Sequence, residues 1–220
     1  MPLEAVIFDM DGTLVDSMPF HHKSWDVFFE HHGIKMTPEE FDKIHHGTLF
    51  DIMPRIFGDH ISDEEAFALG SMKEAAFRDL YKDEIQPIAG LIQWLETLKA
   101  AGLKIGLATA ADFTNADFTL DAIDIRKYFD CIVTSDTIKE GKPSPAVYVH
   151  AAELLGVSPA NCIVFEDTVS GIQAGAAAGM KVVGITTGMK AEQMQALPVS
   201  FIIDDYHSIA LHHLTDIITP

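Results

Sequence analysis

Ala5-Val6-Ile7-Phe8-Asp9-Met10-Asp11-Gly12-Thr13 opens the chain with four apolar residues that run straight into two carboxylates and a glycine. A short apolar run with β-branched residues, closed by a glycine turn, reads as a buried strand. In extended chain, residues two apart point to the same side, so Asp9 and Asp11 are expected to face one space while Met10 turns away. Two anions emerging together from a buried strand call for a cation between them. Gly12 lets the backbone turn without a Cβ penalty, and the Thr13 hydroxyl can fix that turn or touch a bound anion. Ligands of open parallel sheets lie at the carboxyl ends of strands, and three further polar signals sit at that end of later apolar runs. Thr109 follows Lys104 to Ala108, Glu166 and Asp167 follow Cys162 to Phe165, and Lys142 stands in Gly141-Lys142-Pro143-Ser144-Pro145 just ahead of a helical stretch.

From Ile88 onward helix and strand patterns alternate. A helix over Leu91–Ala101 is followed by a strand at Lys104–Ala108, a helix at Asn115–Ala122 and a strand at Cys131–Thr134. The series continues with a helix at Pro145–Leu155, a strand at Cys162–Phe165, a helix at Val169–Ala178, strands at Val182–Ile185 and Phe201–Ile203, and a last helix near Ile209–Ile218. Such alternation predicts an α/β fold, a doubly wound parallel sheet covered by helices. Between Asp16 and Gln86 the strand signal vanishes. Phe20, Trp25, Phe28 and Phe29 recur at helical spacing there, as do Phe67, Met72, Ala76 and Leu80. The expected organisation is a core of residues 1–15 and 88–220 with an inserted helical cap of residues 16–87. Inserted directly after the first acidic loop, that module is placed to act as a lid, with hinges near Asp16-Ser17 and Gln86-Pro87.

Composition narrows the function classes. A chain of 220 residues, 48% hydrophobic, can bury a substantial core. Its formal charge of -18, from 15 basic and 33 acidic residues, argues against nucleic acid or an anionic membrane surface as partner. The same field repels phosphorylated metabolites, so a phosphate site must draw on local cations, backbone N–H groups and metal, which singles out Lys142. Cys131 and Cys162 each begin a β-branched apolar run and read as small buried hydrophobes of a reducing compartment. With no basic leader segment and no run near 18 apolar residues, the expectation is a cytoplasmic monomer. Neighbouring histidines at 21/22, 31/32, 45/46 and 212/213 do not share a helix face, so they are not read as a transition-metal site. Trp25, Phe28 and Phe29 are read as core, and Gly171, Gly175 and Gly179 as a close helix–sheet contact.

All-oxygen ligation by Asp9, Asp11, Glu166 and Asp167 suits Mg²⁺, which commonly binds one or two carboxylates together with substrate phosphate. A metal, a lysine and a hydroxyl around one space suit a phosphoryl group. A carboxylate that attacks phosphorus divides a difficult displacement into two steps, with Asp9 as nucleophile and Asp11 as acid and then base.

These residues, in this order, resemble the four motifs of the haloacid dehalogenase superfamily, specifically its beta-phosphoglucomutase-like phosphatases and phosphomutases with a small helical cap. Asp9-Met10-Asp11-Gly12-Thr13 matches the first motif, Thr109 the second, Lys142 the third and Glu166-Asp167 the fourth. The resemblance implies that Asp9 is the nucleophile and Asp11 the acid/base, that Thr109 with Ala110 and Lys142 holds the phosphoryl group, and that Mg²⁺ is organised by Asp9, the Asp11 carbonyl and Asp167. It makes Glu166 either a metal ligand or a partner of one. It also points to His21, Gly47 and Lys73 in the cap as substrate-binding residues. True dehalogenases lack the second acid, so Asp11 argues for phosphate esters. Beta-phosphoglucomutases typically carry an Arg shortly after the cap glycine, where this chain reads Thr48-Leu49-Phe50-Asp51. They also carry a Ser-Lys-Asn-like set after the second motif, where it reads Ala111-Asp112-Phe113. Both departures weaken the hold on a second phosphate. The expected function is therefore Mg²⁺-dependent hydrolysis of a small phosphorylated metabolite, with a sugar phosphomutase as the alternative, and an inorganic pyrophosphatase or a phosphate-binding protein without turnover behind it.

Overall fold

The structure, a computed structural model, describes residues 2–44, 49–138 and 140–218. It divides into two compact units, Met1–Asp16 with Ile85–Pro220, and Ser17–Glu84.

In the first unit the strands are β1 (Ala5–Phe8), β2 (Lys104–Ala108), β3 (Cys131–Val133), β4 (Cys162–Glu166), β5 (Lys181–Ile185) and β6 (Phe201–Ile203). They form one parallel sheet in the order β3-β2-β1-β4-β5-β6. The α/β doubly wound architecture read from the alternation is thus the observed one. The direction of strand addition reverses between β1 and β4, and loops leaving neighbouring strands at such a reversal diverge and open a crevice. Asp9 follows β1 and Glu166 ends β4, and Phe8 pairs with Phe165, which sets the two acids level at that crevice.

Strand alternation sorts the core into two layers. Val6, Phe8, Ile105, Leu107, Ile163 and Phe165 pack on one face, against Trp94, Leu95 and Leu98. Ala5, Ile7, Cys162 and Val164 pack on the other, with Val147, Tyr148, Ala151 and Leu155. Asp9 and Glu166 continue the alternation of this second face. Met10 is fully buried with Phe8, as the period of two predicts. The two cysteines are free, and burial pushes the Cys162 thiol up to about 12.

The second unit is helical: α1 (Met18–His32), α2 (Pro38–Ile44), α3 (Leu49–Phe57) and α4 (Asp63–Tyr81). The remaining helices belong to the first unit: α5 (Leu91–Ala100), α6 (Phe113–Ala122), α7 (Ala146–Leu155), α8 (Val169–Ala177), the single turn α9 (Ala191–Met194) and α10 (Leu211–Ile218). Ser62 caps α4 through a reciprocal capping box with Glu65, and α1 ends on Gly33 at φ 65. A left-handed residue closing a helix favours glycine. Trp25, Phe28 and Phe29 are buried with Phe41, Ile52 and Met53, so the aromatic stripe is core.

The face of α4 departs from expectation. Phe67, Met72 and Leu80, which carried the helical period, are 62%, 47% and 37% exposed, and the buried face is Ala66, Gly70, Lys73, Glu74, Phe77 and Tyr81. The period was right and its phase was not. Lys73 and Glu74 can lie inside because they neutralise each other at 2.9 Å, a pairing that apolar periodicity does not register. The boundaries between the units also lie slightly inside the expected ones. A bridge between Val15 and Pro87, together with Ile88 N–H donating to the Leu14 carbonyl at 2.9 Å, fastens the return of the chain to the first unit.

Candidate active site

Lys142 is delivered by the segment that leads into α7, the helix covering the sheet face on which Asp9 and Glu166 stand. Its Nζ lies 2.5 Å from Asp9 Oδ1 and 2.7 Å from Glu166 Oε1, and it sits 4.8 Å above the Tyr148 ring. The three charged side chains are only 7%, 9% and 1% exposed. Burial opposes the charge on Lys142, yet Asp9 and Glu166 hold its pKa well above the ordinary lysine range.

Glu166 is fully engaged. Its Oε2 accepts from Asp167 N–H, Thr168 N–H and the Thr168 hydroxyl at 2.8, 2.8 and 3.0 Å, while Oε1 accepts from Lys142 and from the Tyr148 hydroxyl at 2.7 and 3.1 Å. Burial would raise its pKa, but the charge and hydrogen bonds of Lys142 and the Thr168 donors leave it lowered.

Asp167 is the opposite case. Both carboxylate oxygens are buried without a hydrogen-bond partner among the described residues. Burial, and then the charges of Glu166 and Asp9, push its pKa up to about 9. Asp9 is likewise raised by burial, against the pull of Lys142, to about 7. One oxygen from each of Asp9, Glu166 and Asp167 falls within a 4.8 Å cluster. A buried carboxylate with no donor is costly, and a divalent cation is the group that removes the cost. The donor set is all oxygen, as Mg²⁺ requires, so these residues fit it.

Two glycines make room for Asp167. A Cβ on Gly12, whose φ is 78, or on Gly188 would collide with the Asp167 carboxylate. Gly171 does the same for Glu166, because a Cβ there would overlap its carboxylate. Only Gly175 makes the helix–sheet contact expected of the glycine series, facing Val182 and Val164. Gly179 follows the helix at φ 79, and among the described residues nothing beyond its chain neighbours lies within 4 Å of where a Cβ would stand. Gly171→Ala should therefore destabilise the protein by about 2 kcal/mol, because the anchored Glu166 cannot withdraw. At an unobstructed helical position the same change would stabilise by roughly 0.5–1 kcal/mol. Urea unfolding of the variant measures the difference, and an unchanged midpoint would contradict the packing.

The other sequence candidates are placed as follows. Thr109, 1% exposed, follows β2 with its hydroxyl accepting from Ala111 N–H at 3.0 Å, and Ala110 beside it is exposed. Asp11 is half-buried at the head of the loop and contributes to the raised pKa of Asp9. The Thr13 hydroxyl is buried with no partner among the described residues. In the helical unit, Lys73 Nζ bonds His21 Nδ1 at 2.8 Å and Glu74 at 2.9 Å, and His21 stacks on Phe77 at 3.8 Å. Gly47 and the pair at 45/46 lie outside the described residues. Tyr148, Thr168, Thr187, Gly188 and Tyr206 escape sequence reading. They act through single hydroxyls or a missing Cβ at positions where many residues would suit the local structure.

The profile of haloacid dehalogenase-like hydrolases matches residues 3–179. The chain is 31% identical over 181 residues to the fructose-1-phosphate phosphatase YqaB of Escherichia coli (strain K12), covering 82% of this chain and 95% of that one. Among solved structures, a HAD hydrolase of family IA, variant 3, from Entamoeba histolytica HM-1:IMSS superposes with a TM-score of 0.89 at 30% identity, covering 99% and 100% of the two chains. A beta-phosphoglucomutase from Clostridium difficile superposes with a TM-score of 0.83 at 25% identity, covering 98% and 97%. With its motifs gathered at the carboxyl ends of β1, β2 and β4, the chain belongs to the haloacid dehalogenase-like hydrolases, as an enzyme of their beta-phosphoglucomutase-like phosphatase and phosphomutase group.

Proposed function

We propose that the protein is a Mg²⁺-dependent phosphatase that hydrolyses a small phosphorylated sugar through a phosphoryl group carried on Asp9. The observation that carries this reading is the pairing of Asp9 with Lys142 at 2.5 Å beside an Asp167 carboxylate that has no donor among the described residues. A nucleophile, a phosphoryl-binding cation and a place for metal thus meet in one crevice.

The Asp9 oxygen that is not bonded to Lys142 attacks phosphorus, and the bond from phosphorus to the ester oxygen breaks. Asp11 gives its proton to that departing oxygen. Water then attacks the phosphorus of the acyl phosphate, and Asp11 takes up a proton from that water. The bond to Asp9 breaks, returning the carboxylate and releasing inorganic phosphate. Lys142 and the Thr109 hydroxyl bind the phosphoryl oxygens throughout, and Glu166, bonded by its five donors, orients Lys142. When Mg²⁺ is bound, by Asp9, Asp167 and the Asp11 carbonyl, it neutralises charge on the carboxylates and on the transferring group.

The relative named as a fructose-1-phosphate phosphatase supports a phosphorylated sugar as substrate. Hydrolysis is favoured over transfer because Lys73, the cap lysine that could grip a second phosphate, is 3% exposed and already paired with Glu74. A phosphate-release screen of sugar phosphates with Mg²⁺ tests the reading, with phosphorus NMR on beta-glucose 1-phosphate plus bisphosphate beside it. Inorganic phosphate is expected. Conversion to the 6-phosphate without free phosphate would reverse the assignment in favour of a mutase.

Metal binding has its own readout. Without metal, the native state keeps protons on Asp9 and Asp167 up to about pH 7 and 9, whereas the unfolded chain releases them near the ordinary 3.8. The native state therefore binds more protons across that window, and metal-free stability should fall as pH rises from about 4 to 9. Mg²⁺ at about 100 times its dissociation constant should add roughly 2.7 kcal/mol, most readily at the alkaline end where it does not compete with protons. Asp167→Asn should flatten the pH slope and remove the Mg²⁺ increment. Thermal unfolding with EDTA or Mg²⁺ across pH reads both, and a Mg²⁺ increment that survives in Asp167→Asn would exclude this site.

A further inference from the structure

The loop that carries Asp11 is closed on itself. Gly12, at φ 78, donates its N–H to the Val15 carbonyl at 2.7 Å, and the Met10 carbonyl accepts from the N–H groups of Thr13, Leu14 and Val15 at 3.1, 2.8 and 3.4 Å. These bonds use the carbonyls of Met10 and Val15. Those of Gly12 and Thr13 are taken by two hydroxyls that come from far along the chain. The Thr187 hydroxyl, in the segment after β5, donates to the Gly12 carbonyl. The Tyr206 hydroxyl, after β6, donates to the next carbonyl, that of Thr13, at 2.9 Å in a buried setting.

Tyr206 is itself immobilised. Its ring packs on Phe8 and Phe165 with centroids at 6.1 and 5.7 Å, and its N–H donates to the Ala89 carbonyl at 2.9 Å. Thr187 precedes Gly188, whose backbone lies against the Asp167 carboxylate, so the same short segment touches both the acidic loop and the candidate metal ligand. Two fixed carbonyls in a row hold the planes of the two peptides that follow Gly12 and Thr13, on the chain leading out of Asp11.

Resting on the reading of Asp11 as acid and base, we infer that Thr187 and Tyr206 are positioning residues that hold Asp11 in line with the departing oxygen. Proton transfer needs the donor within hydrogen-bond reach of that oxygen, so a loop displaced by a fraction of an ångström loses protonation while leaving Asp9, Lys142 and the phosphoryl pocket in place. This predicts a selective defect. An ester whose leaving group departs without a proton should be hydrolysed almost normally, and an alkyl or sugar phosphate should not.

Thr187→Val and Tyr206→Phe remove one hydroxyl each at nearly constant shape, and Thr187→Ser keeps the hydroxyl. For each, kcat/KM is measured on a series of phosphate esters running from dinitrophenyl phosphate through weaker aryl leaving groups to an alkyl phosphate. The expected loss is roughly tenfold for the alkyl ester and under about twofold for the dinitrophenyl ester, with Thr187→Ser close to the parent. A loss equal for every leaving group, or no loss, overturns the inference, since a general loosening of the site has no reason to follow leaving-group basicity. The parent chain and Asp11→Asn run on the same series separate the two layers of the reading. If Asp11→Asn shows the steep dependence and the hydroxyl variants do not, the positioning role alone falls. If the parent releases no phosphate, or Asp11→Asn shows no such dependence, the acid/base reading falls and the inference with it.

Discussion

Asp9→Asn is expected to reduce turnover on the order of 10⁴-fold or more, because an amide cannot take over as a nucleophile at phosphorus. The fold should survive. The asparagine side-chain oxygen can still accept from Lys142, and Glu166 remains bonded to it at 2.7 Å. The loss should appear in kcat, with substrate still bound, since Lys142, Thr109 and the backbone around Ala110 are untouched. Rapid quenching of the parent with a good substrate should trap labelled phosphate on residue 9, and the variant should trap none. An asparagine enzyme that keeps its steady-state rate would eliminate covalent catalysis by this residue.

Lys142→Met has the next largest expected effect, and it acts on both stability and chemistry. Lys142 is the cation shared by two carboxylates that are 9% and 1% exposed, so its removal leaves two buried anions facing each other. Breaking a buried pair in this way costs about 3 kcal/mol or more, whereas replacing the whole set with apolar groups need not. The sign of the pH dependence follows. Without the lysine, both carboxyl groups hold protons more tightly in the native state than in the unfolded chain. The destabilisation should therefore be largest at alkaline pH and shrink as pH falls and the acids take up protons. Turnover should drop by roughly 10²–10³-fold, the range found when a group that stabilises developing charge is removed. Urea unfolding at pH 5 and pH 8 with parallel steady-state kinetics checks both, and a variant as active as the parent would remove Lys142 from the phosphoryl site.

Tyr148 ties these effects together. Its hydroxyl donates to Glu166 and its ring lies under Lys142. Burial, with Glu166 nearby, keeps its phenol pKa well above the ordinary range, so it remains a donor. It stands in the first turn of α7, six residues beyond Lys142, which lies in the segment leading into that helix. One short stretch of chain thus brings the cation and its support to the site together.

The parallel sheet, its alternation with helices and the placing of charged residues at the ends of its strands were legible in the chain because each depends on local pattern. Apolar runs of four or five residues have few alternatives to buried strands, and acids that end such runs are too costly to be incidental. The phase of α4 was not legible, since whether Lys73 or Phe67 faces inward depends on a partner in another helix, His21, and not on apolar spacing. The division of labour between Glu166 and Asp167 was not legible either. Neighbours of like chemistry, they are separated by donors drawn from Lys142, Tyr148 and Thr168 on one side and by two glycines on the other. Hydrogen bonds and missing side-chain volume act between segments up to 193 residues apart, as from Tyr206 to Thr13, and only the folded chain brings such segments within reach.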